Sequence, residues 1–397
     1  MLVSLAFVTL VYSCKKDESG SHKYLESNDL VITYNAATIN YLVDAGSGVY
    51  PEIADLKPYL SGDIDIYKIT YKTTVSEKTI SASGLVCVPS AKGKYPVICF
   101  QNGTNTMNAY APSEYVLNPA YQLVEIVASM GYIVVIPDYP GFGASADIPH
   151  PYLISVPTVR SIVDMLYAVR EMESDELPGT SVSDDLYLIG YSQGGWATLA
   201  LDKAIEQDYS ADFNLKGSVC GAGPYNLNLL LQEMTEVASY PMPVYIGYII
   251  NAYSEYEQFT NKVSDIINEP YASRLSSLYT GTLTSGQIND QLTTSISDLF
   301  TPGFLSGFES DQKYASVRQA LEVNSVTAWN TSVPLYFIHG GGDTSVNPQS
   351  TENMYAAMIQ AGTSTQICRK EIIPNLDHGD AVVPAMVKGL LFLKDLQ

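Results

Sequence analysis

The sequence predicts an α/β protein with a mostly parallel, twisted sheet, an antiparallel N-terminal edge and helices on both faces. Two patterns carry this prediction. From residue 95 onward, short apolar runs typical of buried strands alternate with segments of helical periodicity. Before them, residues 64–74 and 79–89 alternate polar and apolar side chains around a short polar turn, which indicates an antiparallel hairpin.

The later strands and helices follow in regular order along the chain. We assign strands to the apolar runs at residues 95–101, 132–137, 186–190, 217–220, 335–338 and 371–373. We assign helices near residues 121–130, 157–172, 194–206, 351–360 and 381–393. Between about residues 224 and 328, helix-like and tyrosine-rich sequence replaces the strands. We therefore expect a core in two parts, residues 46–223 and 329–397, with a mainly helical lid or cap inserted at 224–328.

The composition is that of a folded, acidic protein. The chain has 397 residues, of which 46% are hydrophobic and 16% charged, so it can bury a large core. Its formal net charge of -21 would repel phosphate backbones and anionic membrane surfaces. Because nucleic-acid binding depends on neutralising phosphates with basic side chains, this charge argues against a nucleic-acid partner.

The histidines and cysteines show no spacing typical of a metal site. The four histidines are scattered, and none of the five cysteines forms a CxxC pair. We therefore expect no metal. The cysteines after the N-terminal segment lie in or beside apolar runs, which favours buried free thiols: Cys87, Cys99, Cys220 and Cys368. A disulfide between Cys87 and Cys99 is the alternative if the protein is exported.

The N-terminus resembles the signal of bacterial lipoproteins, in which a Cys becomes the lipidated first residue. Residues 1–13 form an apolar stretch too short to span a bilayer, and Cys14 follows it. No Lys or Arg precedes the apolar stretch, which departs from that pattern, and a buried N-terminal helix is the alternative. We expect a signal peptide at 1–13, a tether and extension at 14–45, and an outer-membrane or cell-surface protein anchored only through Cys14. The periplasmic face is also possible.

The strongest chemical motif is a G-x-S-x-G sequence around Ser192. It follows the apolar run at 186–190 and precedes a helix rich in Ala and Leu. A nucleophilic serine on a strand-to-helix turn needs small neighbours, and Gly190 and Gly194 supply them. We therefore predict that Ser192 is a nucleophile.

A serine nucleophile requires a base that is oriented by an acid, and in this architecture both follow the serine in the chain. Asp343 follows the strand at 335–338, and His378 follows the strand at 371–373. The other histidines, His22, His150 and His339, lie in the tether or precede the serine or the acid. We predict Asp343 as the acid and His378 as the base, and we assign Asp377 and Asp380 to loop shape or solvent contact.

An oxyanion hole needs two backbone donors near the nucleophile. One should be the N–H of Gln193, and the other should come from the loop after the third strand, where we place it at Thr104 with Asn105 next. The sequence His339-Gly-Gly-Gly342 looks like an oxyanion motif but follows the nucleophile. We interpret it as a glycine-rich approach to Asp343.

Several segments, spanning about residues 65–397, resemble the α/β-hydrolase superfamily and, within it, the secretory lipase and esterase group. They are the Gln101–Thr104 loop, the sequence Asp138-Tyr-Pro-Gly-Phe-Gly143, the sequence His150-Pro-Tyr-Leu153, the Ser192 turn, and the Asp343 and His378 loops. Asn102 and Tyr191 stand where the family often has His. The resemblance implies a serine esterase or lipase without a cofactor, with structural roles for Asp138 and His150.

The inserted segment bears on the substrate, which we expect to be a small-molecule ester. Between residues 225 and 279 it has eight tyrosines, which could line an acyl pocket or stack on a sugar, but packing onto the core is the simpler interpretation: Tyr225, Tyr240, Tyr245, Tyr248, Tyr253, Tyr256, Tyr271 and Tyr279. We expect short- or medium-chain acyl esters or carbohydrate-linked esters. A prolyl-type exopeptidase and a non-catalytic ligand-binding lipoprotein are the alternatives.

Overall fold

The computed structural model describes residues 22–172, 177 and 179–397. Nine strands form one sheet in the order β1-β2-β3-β5-β4-β6-β7-β8-β9. Their bounds are β1 (Leu25–Tyr34), β2 (Ile64–Val75), β3 (Lys78–Pro89), β4 (Gly93–Gln101), β5 (Ile133–Pro137), β6 (Thr180–Tyr191), β7 (Asn214–Gly221), β8 (Leu335–Gly340) and β9 (Cys368–Ile373). All the strands predicted from the sequence are therefore present.

The sheet has an antiparallel edge and a parallel centre. Strands β1, β2, β3 and β5 pair antiparallel in turn. From β5 through β4, β6, β7 and β8 to β9, every pair is parallel. The predicted mixed architecture is confirmed, and the carboxyl ends of the parallel strands meet at one edge of the sheet, where such folds place their ligands.

Helices cover both faces of this sheet. Their bounds are α1 (Ala36–Ser47), α2 (Pro119–Glu125), α3 (Ser155–Glu171), α4 (Gln193–Asp208), α5 (Leu227–Glu236), α6 (Pro243–Glu255), α7 (Val263–Ile266), α8 (Tyr271–Leu278), α9 (Ser285–Asn289), α10 (Ile296–Leu299), α11 (Pro302–Gly307), α12 (Ala315–Asn324), α13 (Gln349–Gln360) and α14 (Val382–Lys394). Two longer 3-10 segments, Pro51–Tyr59 and Ile126–Met130, lie beside α1 and α2.

Alternate residues of the central strands divide the core into two faces. In β4, Val97 and Cys99 pack with α3, α4, α13 and the inserted helices, and we call this side the insertion face. Ile98, between them, packs with α1, the two 3-10 segments and α14, and we call this side the α14 face. This period-two alternation is the expected consequence of a pleated strand buried on both sides.

The cysteines follow the same division. All four described cysteines are buried free thiols. Cys87 packs into the α14 face and Cys99 into the insertion face. Because the two side chains point to opposite sides of the sheet, the alternative disulfide between them does not form.

The segment between β7 and β8, every residue of which is described, contains helices α5 to α12 and adds no strand to the sheet. The eight tyrosines between residues 225 and 279 all pack against the core. Five of them are buried and three are partly buried: Tyr225, Tyr240, Tyr248, Tyr253 and Tyr279, then Tyr245, Tyr256 and Tyr271. The insertion is therefore bound to one face of the sheet through aromatic contacts.

The sheet begins earlier in the chain than the sequence analysis placed it. Residues 25–34, assigned to the N-terminal extension, form edge strand β1, and α1 follows with Ile39 and Val43 buried. Only Leu25 and Tyr34, at the two ends of β1, are buried. An edge strand exposed along most of its length lacks the apolar alternation by which strands are predicted.

The predicted signal peptide and Cys14 lie outside the described residues. Within the part of the chain that is described, no helix is long and apolar enough to span a membrane.

Candidate active site

Ser192 lies on a sharp turn between β6 and α4. Its backbone angles, φ 60° and ψ -122°, are strained for a residue with a side chain. A Cβ atom at Gly190 would lie 2.4 Å from the Gly194 oxygen, and one at Gly194 would lie 1.9 Å from the Gln101 oxygen. Gly190 is therefore required for the turn to fold back on itself, and Gly194 for its close approach to the end of β4.

His378 connects Ser192 to Asp343. The Ser192 hydroxyl lies 2.8 Å from His378 Nε2, and His378 Nδ1 lies 2.5 Å from Asp343 Oδ2. Since an ionised carboxylate only accepts hydrogen bonds, the Nδ1 atom carries the proton and Nε2 is free to accept from the serine. The structure thus brings together the three residues that the sequence analysis named, from three loops at the carboxyl ends of β6, β8 and β9.

Asp343 is buried and held by several donors. Its Oδ1 atom accepts from the backbone N–H groups of Ser345 and Val346, both at 2.8 Å. Burial alone would raise the pKa of this carboxyl, but hydrogen bonds from His339, His378 and the Val346 backbone hold it well below its usual value. Asp343 is therefore ionised throughout the range in which the protein is expected to work.

His339 contacts the acid, a role that the sequence analysis missed. Its Nε2 atom lies 3.1 Å from Asp343 Oδ2 and 2.9 Å from the Val346 carbonyl oxygen, and its Nδ1 atom lies 2.8 Å from the Thr351 hydroxyl. Two acceptors at Nε2 fix the proton on that nitrogen. The four-residue spacing between His339 and Asp343 could have indicated this contact, since a short loop returns the acid toward the end of β8.

Two backbone donors are available beside Ser192. Among the described residues, neither the Gln193 nor the Thr104 backbone N–H donates to another protein group. Gln193 is the first residue of α4 and directly follows Ser192, and Thr104 lines the same cavity as Ser192 and His378. The Asn105 backbone N–H, our second choice for this loop, likewise donates to no described protein group, and Asn105 lines the same cavity.

His150 fixes the loop that carries the Asp-Tyr-Pro-Gly sequence. Its Nδ1 atom lies 2.7 Å from the Pro140 carbonyl oxygen, and its Nε2 atom lies 2.8 Å from the Gln193 side-chain nitrogen. Complete burial lowers the pKa of His150 to about 4, so the ring is neutral and accepts from Gln193 through Nε2. His150 does not contact Ser192 in these hydrogen bonds, but it orients the side chain of the expected oxyanion donor.

Asp138 has a similar supporting role. It accepts hydrogen bonds from the Ser83 hydroxyl at 2.5 Å and from the Ser113 hydroxyl at 2.6 Å. The Ser113 backbone N–H binds its other oxygen at 2.8 Å. Through these contacts Asp138, in the loop after β5, connects β3 to the segment before α2.

The elbow residue Tyr191 holds the histidine loop. Its hydroxyl donates to the His378 carbonyl oxygen at 2.9 Å, and its ring centroid lies 5.2 Å from that of the imidazole. In the same loop, Asp377 accepts from the Asp380 N–H at 2.8 Å, which is the loop-shaping contact expected for it. His22 lies far from these groups in the fold, beside Glu171 at 3.9 Å.

A family model described as secretory lipase matches residues 118–385, about two-thirds of the chain. The chain belongs to the secretory lipase family. It is therefore an ester-hydrolysing enzyme, and membership of this family indicates export. No curated protein matches the sequence.

Solved structures show which fold this family member has. A Legionella pneumophila protein described as a hydrolase is 24% identical, covers 94% of this chain and 98% of its own, and gives a TM-score of 0.84. A ligand-bound form of the rice cell wall degrading esterase LipA from Xanthomonas oryzae is also 24% identical, with 95% and 98% coverage and a TM-score of 0.81. Candida antarctica lipase A is 16% identical, with 95% and 82% coverage and a TM-score of 0.67. The fold of this chain is the α/β-hydrolase fold.

Proposed function

We propose that this secretory lipase family member is a serine carboxylic-ester hydrolase that works through an acyl-enzyme formed on Ser192. The observation that carries the proposal is the position of His378, which lies within hydrogen-bond distance of both Ser192 and Asp343. A nucleophile, a base and an orienting acid in this arrangement are what acyl transfer requires.

The reaction follows from the hydrogen bonds of the site. His378 Nε2 takes the hydroxyl proton as Ser192 Oγ attacks the ester carbonyl carbon. The ionised Asp343 holds the imidazole with its proton on Nδ1 and stabilises the positive charge that forms on the ring. The backbone N–H groups of Gln193 and Thr104 receive the charge that develops on the carbonyl oxygen. His378 then protonates the leaving alcohol, and a water molecule releases the acid by the same route.

The helical segment at 224–328 is proposed to act as a cap on this site. Tyr245 of α6 lines the cavity that contains Ser192 and His378. The Tyr240 hydroxyl donates to the Ser345 carbonyl oxygen at 3.0 Å, next to the loop of Asp343. Through these contacts the insertion limits access to the nucleophile from one side, which supports a small-molecule ester with a short- or medium-chain acyl group, or a carbohydrate-linked ester.

The proposal is tested by hydrolysis of p-nitrophenyl esters from acetate to palmitate, with an aminoacyl-proline anilide in the same panel. We expect ester turnover by the wild type and a loss of at least about a thousandfold in Ser192→Ala, because the acyl-enzyme cannot form. Anilide cleavage without ester turnover would favour the exopeptidase. A folded wild type that acts on neither would favour the ligand-binding protein.

We further propose that Cys14 carries a lipid anchor. The support is the apolar stretch at 1–13 directly before it and the polar sequence after it. Expressed in a bacterial host, the full chain should partition into detergent and Cys14→Ser into the aqueous phase. Equal partitioning of the two proteins would contradict a lipid at Cys14.

A further inference from the structure

A large apolar cavity extends from the catalytic serine into the α14 face. Its volume is about 680 Å³. Its lining includes Ser192, His378 and Thr104, together with side chains of the sheet and of the helices that cover the α14 face. This volume lies in the range of cavities that enclose most of a small ligand. The cavity therefore begins at the reacting atoms and leads away from the insertion.

Helix α14 gives the cavity its length. The helix contributes five apolar side chains, Val382, Val383, Met386, Val387 and Leu390. Their spacing puts them on one side of the helix, and from Val382 to Leu390 the axis rises about 12 Å. The helix starts four residues after His378, so these side chains lead from the active site into the core.

The walls on the sheet and on the N-terminal 3-10 segment are also apolar, whereas the wall near Thr104 includes the polar residues Asn102, Asn105 and Asn118. Ile98, Val134 and Ile189, from three adjacent strands, form the floor on the sheet. Ile53 and Leu56 of the N-terminal 3-10 segment also line the cavity, and that segment packs against α14. Such walls offer few hydrogen bonds to water. A hydrocarbon chain is stabilised by about 0.8 kcal/mol for each methylene that it buries, which is close to a fourfold increase in its binding constant.

The insertion side of the serine offers far less room. A second cavity there, lined by Ser192 and by residues such as Tyr152, Leu230 and Ile249, has a volume of only about 20 Å³. The two halves of an ester that is attached to Ser192 therefore meet very different spaces. The cavity in the α14 face can hold a long chain, whereas the cavity on the insertion side holds only a small group.

We propose that the cavity in the α14 face binds the acyl chain of a medium-chain ester with a small alcohol. This inference rests on the proposed ester hydrolysis at Ser192. An extended chain with C–C bonds of about 1.5 Å advances about 1.25 Å per carbon, so about 12 Å holds about ten carbons. The acyl half is assigned here because it stays bonded to Ser192 while the alcohol leaves and water enters, and a chain buried along α14 would slow that departure.

The proposal is tested on the full-length chain with p-nitrophenyl esters from acetate to palmitate, and with methyl decanoate against decyl acetate. We expect kcat/KM to peak near decanoate, at least a hundredfold above acetate, and methyl decanoate to be preferred over decyl acetate by at least tenfold. A peak at acetate or butyrate would overturn the proposal, and so would a preference for decyl acetate.

Substitutions along α14 test where the acyl chain of the substrate lies. Leu390→Phe adds a ring at the end of the cavity far from His378, so the acyl-chain length with the highest kcat/KM should decrease modestly. Val383→Phe adds a ring nearer His378, so this length should decrease strongly. Leu391→Phe is the matched control, because Leu391 is on the same helix but does not line the cavity. An unchanged chain-length profile in both folded variants would overturn the proposal, while the Ser192→Ala result would still decide ester hydrolysis separately. If either variant does not fold, the wild-type profile and the decyl acetate comparison decide.

Discussion

At the scale of single residues, Asp343 is shared between two histidines that have different roles. His378 faces the serine, whereas His339 is completely buried and faces away from it. Because His339 donates to the same carboxylate oxygen as His378, it limits the positions that this oxygen can take. We therefore predict that His339 is a positioning residue that acts through Asp343.

Replacement of His339 tests this role. We expect His339→Ala to lower kcat by about tenfold to a hundredfold with little change in KM. His339 orients the Asp343 carboxylate and does not itself touch the substrate. The acid limb of the pH profile should also move, because Asp343 loses a donor that keeps its pKa low. His22→Ala is the control and should match the wild type. If His339→Ala lowers stability but leaves kcat and the pH profile unchanged, the residue is only part of the core.

The nucleophile, acid and base could be proposed from the sequence because each depends on local signals. Ser192 is marked by glycines at fixed offsets, and Asp343 and His378 each follow an apolar run in the expected order. The contact of His339 with Asp343 and the contact of Tyr191 with the His378 loop depend on the path of a loop and on packing across strands. The four-residue spacing between His339 and Asp343 is compatible with the first contact but does not by itself predict it, and the second contact has no signal in sequence spacing.

At the scale of elements, the junction of α2 and the 3-10 segment after it carries a buried carboxyl. Glu125, the last residue of α2, is fully buried, and burial raises its pKa to about 8, with the Tyr34 hydroxyl opposing the shift in part. The folded protein thus keeps a proton that the unfolded chain releases above its ordinary pKa of 4.5. Stability is therefore lost as the pH rises from about 4.5 to about 8.

Glu125→Gln should remove this pH-dependent loss. At pH 7 we expect the variant to be more stable than the wild type by about 3 kcal/mol. Folding of the wild type at this pH requires the Glu125 carboxylate to take up a proton, whereas the neutral amide of Gln does not. At pH 4 the difference should vanish. Urea unfolding at the two pH values measures both, and a constant difference between the proteins would show that ionisation of Glu125 is not the cause.

The elements differ in how well the sequence predicts them. The central strands are buried on both faces and have the sequence of short apolar runs, so their positions were predicted, although β6 begins six residues before its predicted start. Strand β1 was missed because only its end residues are buried. The single helix predicted at 121–130 is α2 followed by a 3-10 segment, a difference in hydrogen bonding that side-chain periodicity does not report.

At the scale of the whole molecule, hydrogen bonds attach the N-terminal end of the described residues to helix α3. The backbone N–H groups of residues 23, 24 and 25 donate to the Glu171 carboxylate at 3.0, 2.9 and 2.8 Å. Glu171 is the last residue of α3, which packs on the insertion face. Within residues 22–172, 177 and 179–397, the contacts that hold the N-terminal end to the core thus include those of residues 23–25 with Glu171.

Removal of residues 1–21 should accordingly leave a folded enzyme. We expect kcat/KM within about twofold of the full chain and an unfolding temperature within about 2 °C, because no described contact of the core is lost. Activity assays and thermal unfolding by circular dichroism check both values. Glu171→Ala in the shortened chain is the contrasting variant and should lower the unfolding temperature. Unfolding of the shortened chain itself would mean that the first 21 residues belong to the core.

The central claim, an acyl-enzyme on Ser192 activated by His378, is tested most directly by covalent trapping. A fluorophosphonate should react with the full-length wild type, and peptide mass spectrometry should place a single adduct on Ser192. The adduct should form at least about a hundredfold more slowly in His378→Ala, because the hydroxyl then lacks its base. Absence of an adduct on the folded wild type, or an adduct on another residue, would contradict the claim.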